Sequence, residues 1–229
     1  MGEWIQVSVK DGQFKAYVAR PAGPPKGAVV VIQEIFGVNA GVRGKADWLA
    51  GEGFVAVAPD LFWRIEPGVE LTDKTEKEWS RAFELMNAFS ADKGIEDIQA
   101  TIAQARAMGA GKVGAVGYCL GGLLAYLTAA RTDADASVGY YGVMIDQKLG
   151  EAAGIKKPLM LHIAEKDQFV KPEAQAAIKQ GLAGNPLVTI HSYAEQDHAF
   201  TREGGAHYDD DAAKLADGRT IDFFKKNLA

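Results

Sequence analysis

Val113-Gly114-Ala115-Val116-Gly117-Tyr118-Cys119-Leu120-Gly121-Gly122 is the stretch that decides the fold. An apolar run with strand character passes through Gly-Tyr-Cys-Leu-Gly into an alanine- and leucine-rich segment with helix character, residues 120–130. A strand that bends abruptly into a helix with Gly-x-nucleophile-x-Gly at the bend is a nucleophile elbow, here with cysteine as the nucleophile. The spacing has a steric reason. The sharp turn crowds backbone against backbone, so positions 117 and 121 must be small, and the helix N-terminus favours a thiolate. The amide of Leu120 then points at a developing oxyanion. The rival readings are a phosphate-cradling glycine loop and a buried structural cysteine. Neither Gly-Lys-Ser/Thr nor Gly-x-Gly-x-x-Gly follows, which argues against the phosphate loop.

Outward from the elbow, short apolar runs at 28–33, 54–58, 113–118, 136–141, 159–164 and 188–193 alternate with helical patterns at 44–51, 75–89, 94–107, 120–130, 172–181 and 209–226. Such alternation predicts a mostly parallel central sheet with helices on both faces. Ile95, Ile98, Ile102 and Ala105 repeat at helical spacing, and Pro172 suits a helix first turn. Pro24-Pro25 and Pro67-Gly68 read as turns, and no internal repeat or long linker breaks the chain, so one domain over 1–229 is expected.

An elbow calls for an acid after a later strand and then a histidine, in that chain order. Glu165-Lys166-Asp167 follows the run 159–164, and Asp197-His198-Ala199-Phe200 follows 188–193. Both sites fall at the carboxyl ends of strands, where open α/β sheets gather their ligands. Asp167 is the orienting acid of this reading, with Glu165 its nearest rival, and His198 is the general base and acid. His162 and His191 lie inside predicted strands, where packing is the better reading, and His207 begins the last helical region.

Composition excludes other classes. Thirty acidic against 25 basic residues give a net charge of −5, with no basic stripe to bind nucleic acid. No stretch approaches a membrane span, and the start lacks a basic region followed by an apolar run, so a cytoplasmic location is expected. Cys119 is the sole cysteine, which rules out an intrachain disulfide and a cysteine-based metal site built from this chain alone.

The residues resemble the dienelactone hydrolase family, cysteine members of the α/β-hydrolase fold. The motifs that carry the resemblance are Gln33-Glu34-Ile35-Phe36-Gly37-Val38-Asn39, Ala58-Pro59-Asp60-Leu61-Phe62, the elbow, Gly139-Tyr140-Tyr141-Gly142 and Asp197-His198-Ala199-Phe200. The resemblance implies opening of the enol-lactone ring of dienelactone, 4-carboxymethylenebut-2-en-4-olide, to maleylacetate in the breakdown of chlorinated catechols, with no metal or other cofactor. It implies that Glu34 holds or receives the thiol proton of Cys119, and that the Ile35 amide is the second oxyanion donor. The expected partner is a small lactone or ester carrying a carboxylate, without nucleic acid or membrane, and a monomer is favoured.

A carboxylated substrate calls for arginine, whose planar fork binds carboxylates bidentately. Arg202, four residues past His198, meets that need. A second arginine of the family falls by gapless count on Trp79, while Arg81 stands two positions later, about 200° around a helix. Arg81 is carried as a candidate substrate ligand beside a reading as a surface charge. The alternatives to dienelactone hydrolysis are a related esterase or lactonase acting on another small ester, and a noncatalytic protein whose Cys119 senses oxidants.

Overall fold

Strands buried on both faces read as unbroken apolar runs, and the computed structural model, which describes residues 2–109 and 111–229, shows the reason. β1 (Glu3–Val9), β2 (Gly12–Ala19), β3 (Ala28–Ile32), β4 (Val55–Pro59), β5 (Val113–Tyr118), β6 (Ala136–Tyr140), β7 (Leu159–Ala164) and β8 (Val188–Tyr193) form one sheet in the order β1-β2-β4-β3-β5-β6-β7-β8. From β4 to β8 the pairing is parallel, and every residue of β3 to β7 is buried. The predicted α/β-hydrolase architecture is the one observed.

The antiparallel hairpin β1–β2 at the sheet's edge is the part that the alternation missed. Its signal was Asp11-Gly12, a tight-turn dipeptide between alternating runs. Residues 145–154 form a 3₁₀ segment that was likewise not foreseen.

The helices are α1 (Ala40–Gly51), α2 (Glu76–Ala88), α3 (Ala91–Ala107), α4 (Leu120–Arg131), α5 (Pro172–Leu182) and α6 (Asp210–Leu228). Side-chain alternation in β5 places α4 and α6 on opposite faces. A side chain on Gly114 would run into Leu228 and Phe224 of α6, whereas one on Gly117 would run into Gly121 of α4. The Lys45–Asp217 ion pair, 2.9 Å, ties α1 to the α6 side, and α3 packs with α4. Caps set the helix starts. Asn39 Oδ1 accepts from Val42 N at 3.1 Å, so α1 begins four residues before the predicted 44. Thr75 caps α2, accepting from Glu78 N at 3.2 Å while its hydroxyl donates to Glu78 Oε2 at 2.8 Å. No helix among the described residues is long and apolar enough to cross a membrane.

Candidate active site

Cys119 takes φ 57° and ψ −116°, the strained geometry that an elbow imposes on its nucleophile. The crowding is literal. A Cβ on Gly117 would sit 1.8 Å from the carbonyl oxygen of Gly121, and one on Gly121 2.5 Å from that of Ile32. The backbone is held from both sides, the Cys119 N–H donating to Tyr140 O at 3.1 Å and the Cys119 carbonyl accepting from Gly122 N at 2.9 Å. Leu120 opens α4, and Ile35 follows the end of β3. Neither of their N–H groups donates to another group among the described residues, which leaves both free for an oxyanion.

His198 emerges beyond β8 and Asp167 beyond β7, and the register of these parallel strands brings the two loops together. His198 Nδ1 lies 2.8 Å from Asp167 Oδ2, and both side chains are buried. The aspartate is pre-aimed, its Oδ1 accepting from Phe169 N at 2.8 Å and Val170 N at 3.1 Å. Burial disfavours a charged imidazole, but the Cys119 thiolate beside it and the Asp167 carboxylate outweigh burial and push His198 up to about 10. The rival acid Glu165 turns outward to Lys179 at 3.3 Å. His162 is a packing residue, bonded to Tyr193 Oη at 2.8 Å and Thr220 Oγ1 at 3.0 Å, and burial holds it well below the ordinary histidine range.

Glu34 and Arg202, distant in sequence, meet at the edge of the site. Arg202 Nε and Nη2 donate to the two Glu34 oxygens at 2.8 and 2.9 Å, and Nη1 donates to Asp73 Oδ2 at 3.0 Å. Both oxygens of Glu34 are therefore engaged by the guanidinium, and the expected contact with the Cys119 thiol is not made in this state. The Arg202 guanidinium also lies 5.1 Å from the centre of the Phe36 ring. Asp73 was not singled out from sequence. Its burial would raise it, but the Arg202 hydrogen bond and charge hold its carboxyl below the usual range.

A cavity of about 50 Å³ lies against Cys119 and His198, walled by Phe36, Trp79, Phe83, Phe169 and Arg202 among others. Arg81 is not there. Trp79 faces the cavity, while Arg81 points away and pairs on the exposed face with Glu66 and Glu84, which corrects its reading as a substrate ligand. The cause is the Thr75 cap, which fixes the phase of α2 and leaves residues 79 and 81 on opposed sides. Trp79 lies edge-on to Phe36 with ring centres 5.1 Å apart and stacks with Phe169 at 6.4 Å, and Phe169 meets the His198 ring edge-on at 4.8 Å. A much larger groove, about 830 Å³, opens between α1 and α6. Glu34 and Arg202 line it, and Cys119 and His198 do not. Among the described residues no cluster of three potential ligands could hold a metal ion.

A mostly parallel sheet with a cysteine at the elbow and an aspartate-braced histidine beyond the last strand has the architecture of an α/β-hydrolase. The chain belongs to the dienelactone hydrolase family, whose pattern it matches over residues 14–228. It is 53% identical over 222 residues to a protein of Azospirillum brasilense provisionally named carboxymethylenebutenolidase, the match covering 95% of each chain. Carboxymethylenebutenolidase of Pseudomonas putida is 41% identical over 224 residues, 96% of this chain and 95% of that one. A crystal structure from Klebsiella pneumoniae, provisionally named a dienelactone hydrolase, superposes with a TM-score of 0.88 at 27% identity, covering 98% of both chains.

Proposed function

We propose that this hydrolase opens a small enol lactone or ester through a cysteine acyl-enzyme. The observation that carries the reading is the contact between His198 Nδ1 and Asp167 Oδ2 at 2.8 Å beside a thiol held at the elbow. The Cys119 thiolate attacks the ester carbonyl, and the Leu120 and Ile35 amides receive the oxyanion. The carbon–oxygen bond of the ring breaks as the carbonyl re-forms, leaving a thioester and an enolate that takes its proton from His198. Thioester formation removes the thiolate charge, the chief support of the charged imidazole against burial. His198 then returns to a neutral base, which deprotonates a water for attack on the thioester, and Cys119 leaves as thiolate.

The reference substrate is the one for which the Pseudomonas putida relative is named. Its opening gives maleylacetate, and the pathway served would be the breakdown of chlorinated catechols. The test is loss of the lactone's ultraviolet absorbance on adding enzyme, run beside Cys119→Ala. Loss only with the intact thiol, and a thioester adduct trapped by acid quench and mass spectrometry, are the expected results. A Cys119→Ala variant at the normal rate would overturn the reading. The esterase alternative draws support from Trp79, an indole rather than a second cation on the pocket wall.

A further inference from the structure

We infer that Tyr141 is a positioning residue that fixes His198 relative to Cys119, through its ring on the imidazole and through a hydroxyl latch to Thr201 in the loop that carries the histidine. The inference rests on the hydrolase reading above and adds to it a residue outside the substrate cavity.

The need is local. Asp167 holds one nitrogen of the imidazole, and a ring held at one nitrogen can still pivot about that bond, because histidine χ2 is a broad torsion. A misplacement of about 1 Å can cost about 10²-fold in rate. Two aromatic rings meet the imidazole edge-on and stop the pivot, Phe169 at 4.8 Å and Tyr141 at 5.0 Å between ring centres. Phe169 is 44% exposed and lines the catalytic cavity, whereas Tyr141 is buried and lies off the cavity wall. Tyr141 thus touches the base without touching the space for substrate.

The backbone points the same way. Among the described residues, Cys119, Tyr141, Met144 and Ala199 are the non-glycine residues with positive φ. Three of them belong to this site: Cys119 itself, Ala199 next to His198 at φ 63°, and Tyr141 at φ 37°. Such strain persists only where the surroundings over-determine it. For Tyr141 the surroundings include the nucleophile. The Cys119 N–H donates to Tyr140 O at 3.1 Å and the Cys119 carbonyl accepts from Val143 N at 3.4 Å, so residues 140–143 are bonded to the elbow on both sides of Tyr141. The Tyr141 N–H donates to His162 O at 2.8 Å, which ties the same segment to β7.

The hydroxyl closes the circuit. Tyr141 Oη lies 3.0 Å from Thr201 Oγ1, both groups are buried, and Thr201 stands three residues past His198. Tyr141 is therefore joined to Cys119 through the main chain, and to His198 through a ring contact and through Thr201.

The experiment measures kcat and KM for dienelactone, and the NMR titration of the His198 imidazole, in wild type, Tyr141→Leu, Tyr141→Phe, Thr201→Val and the double variant Tyr141→Phe/Thr201→Val. Folding is checked by circular dichroism. Tyr141→Leu loses ring and hydroxyl, so kcat should fall about 10²-fold while KM stays within about twofold. Tyr141→Phe restores the ring and should recover most of that loss. Its remaining deficit should be matched by Thr201→Val and not deepened in the double variant, as for two ends of one bond. In Tyr141→Leu the His198 titration should fall from about 10 toward 6.5 as its contacts with Cys119 and Asp167 loosen. Should Tyr141→Leu fail to fold, Tyr141→Phe and Thr201→Val carry the test, and wild-type kcat in both would overturn the inference. A folded Tyr141→Leu with unchanged kcat, a loss confined to KM, an unmoved His198 titration, or losses that multiply in the double variant would also overturn it, and each leaves the hydrolase reading intact. A wild type inert toward the lactone, with no acyl adduct, would instead sink the hydrolase reading and the inference together.

Discussion

Arg202 and Glu34 face each other as fork and carboxylate, Nε to Oε2 at 2.8 Å and Nη2 to Oε1 at 2.9 Å, with side chains only 17% and 9% exposed. Breaking a fully buried pair by removing one charge costs about 3–5 kcal/mol. Glu34→Gln keeps one acceptor and leaves Asp73 on the guanidinium, so the expected loss is smaller, on the order of 2 kcal/mol. Urea unfolding of wild type and variant measures it, and an unchanged midpoint would show that the pair contributes nothing.

The charge on His198 gives a second prediction. A histidine raised to about 10 from its ordinary 6.5 contributes stability that is complete below pH 6.5 and is lost as pH climbs toward 10. Cys119→Ala removes the sulfur, the strongest of the effects that raise His198, so the wild type's stability advantage over this variant should shrink across that window. Capping Cys119 with iodoacetamide blocks the same sulfur. The imidazole proton titration, followed by NMR, should then drop well below 10, and a titration that stays near 10 would contradict the pairing.

Gly117 and Gly44 make a matched test of where glycine is required. Alanine at 117 would put its methyl 1.8 Å from the Gly121 oxygen, backbone against backbone, and should cost about 3 kcal/mol or more. Alanine at 44 lies inside α1 with open space around it, and should add about 0.5–1 kcal/mol through helix propensity. Thermal melts of the two variants should move in opposite directions.

Arg81 closes the set. Its pairing with Glu66 and Glu84 on an exposed helix face predicts that Arg81→Ala leaves kcat/KM within about twofold of wild type on charged and neutral lactones alike. A selective loss on the carboxylated lactone would return Arg81 to the substrate site.

What the sequence revealed follows the range of its interactions. Cys119, Asp167 and His198 were legible because each closes a strand, and parallel strands deliver their carboxyl ends to one place. Arg202 was legible as a cation near His198, but not as a cation already engaged. Its partners Glu34 and Asp73 lie 168 and 129 residues away, and nothing in a one-dimensional pattern pairs them. Trp79 and Arg81 differ by two positions, so the decision rested on the phase of α2, which the Thr75 cap sets. The hairpin β1–β2 lies outside the strand–helix alternation, and its only mark in the sequence is the short turn at Asp11-Gly12.

The glycine contacts around the elbow also bear on motion. A Cβ on Gly117 would meet Gly121, one on Gly121 would meet Ile32, and one on Gly122 would lie 2.6 Å from Gly142 Cα, so the ends of β3, β5 and β6 are stitched together main chain to main chain. Close-packed backbone of this kind transmits strain rather than absorbing it. The elbow cannot swing as a lid does. Adjustment at this site is left to side chains, whose rotations are far faster than the μs–ms closures of hinged domains.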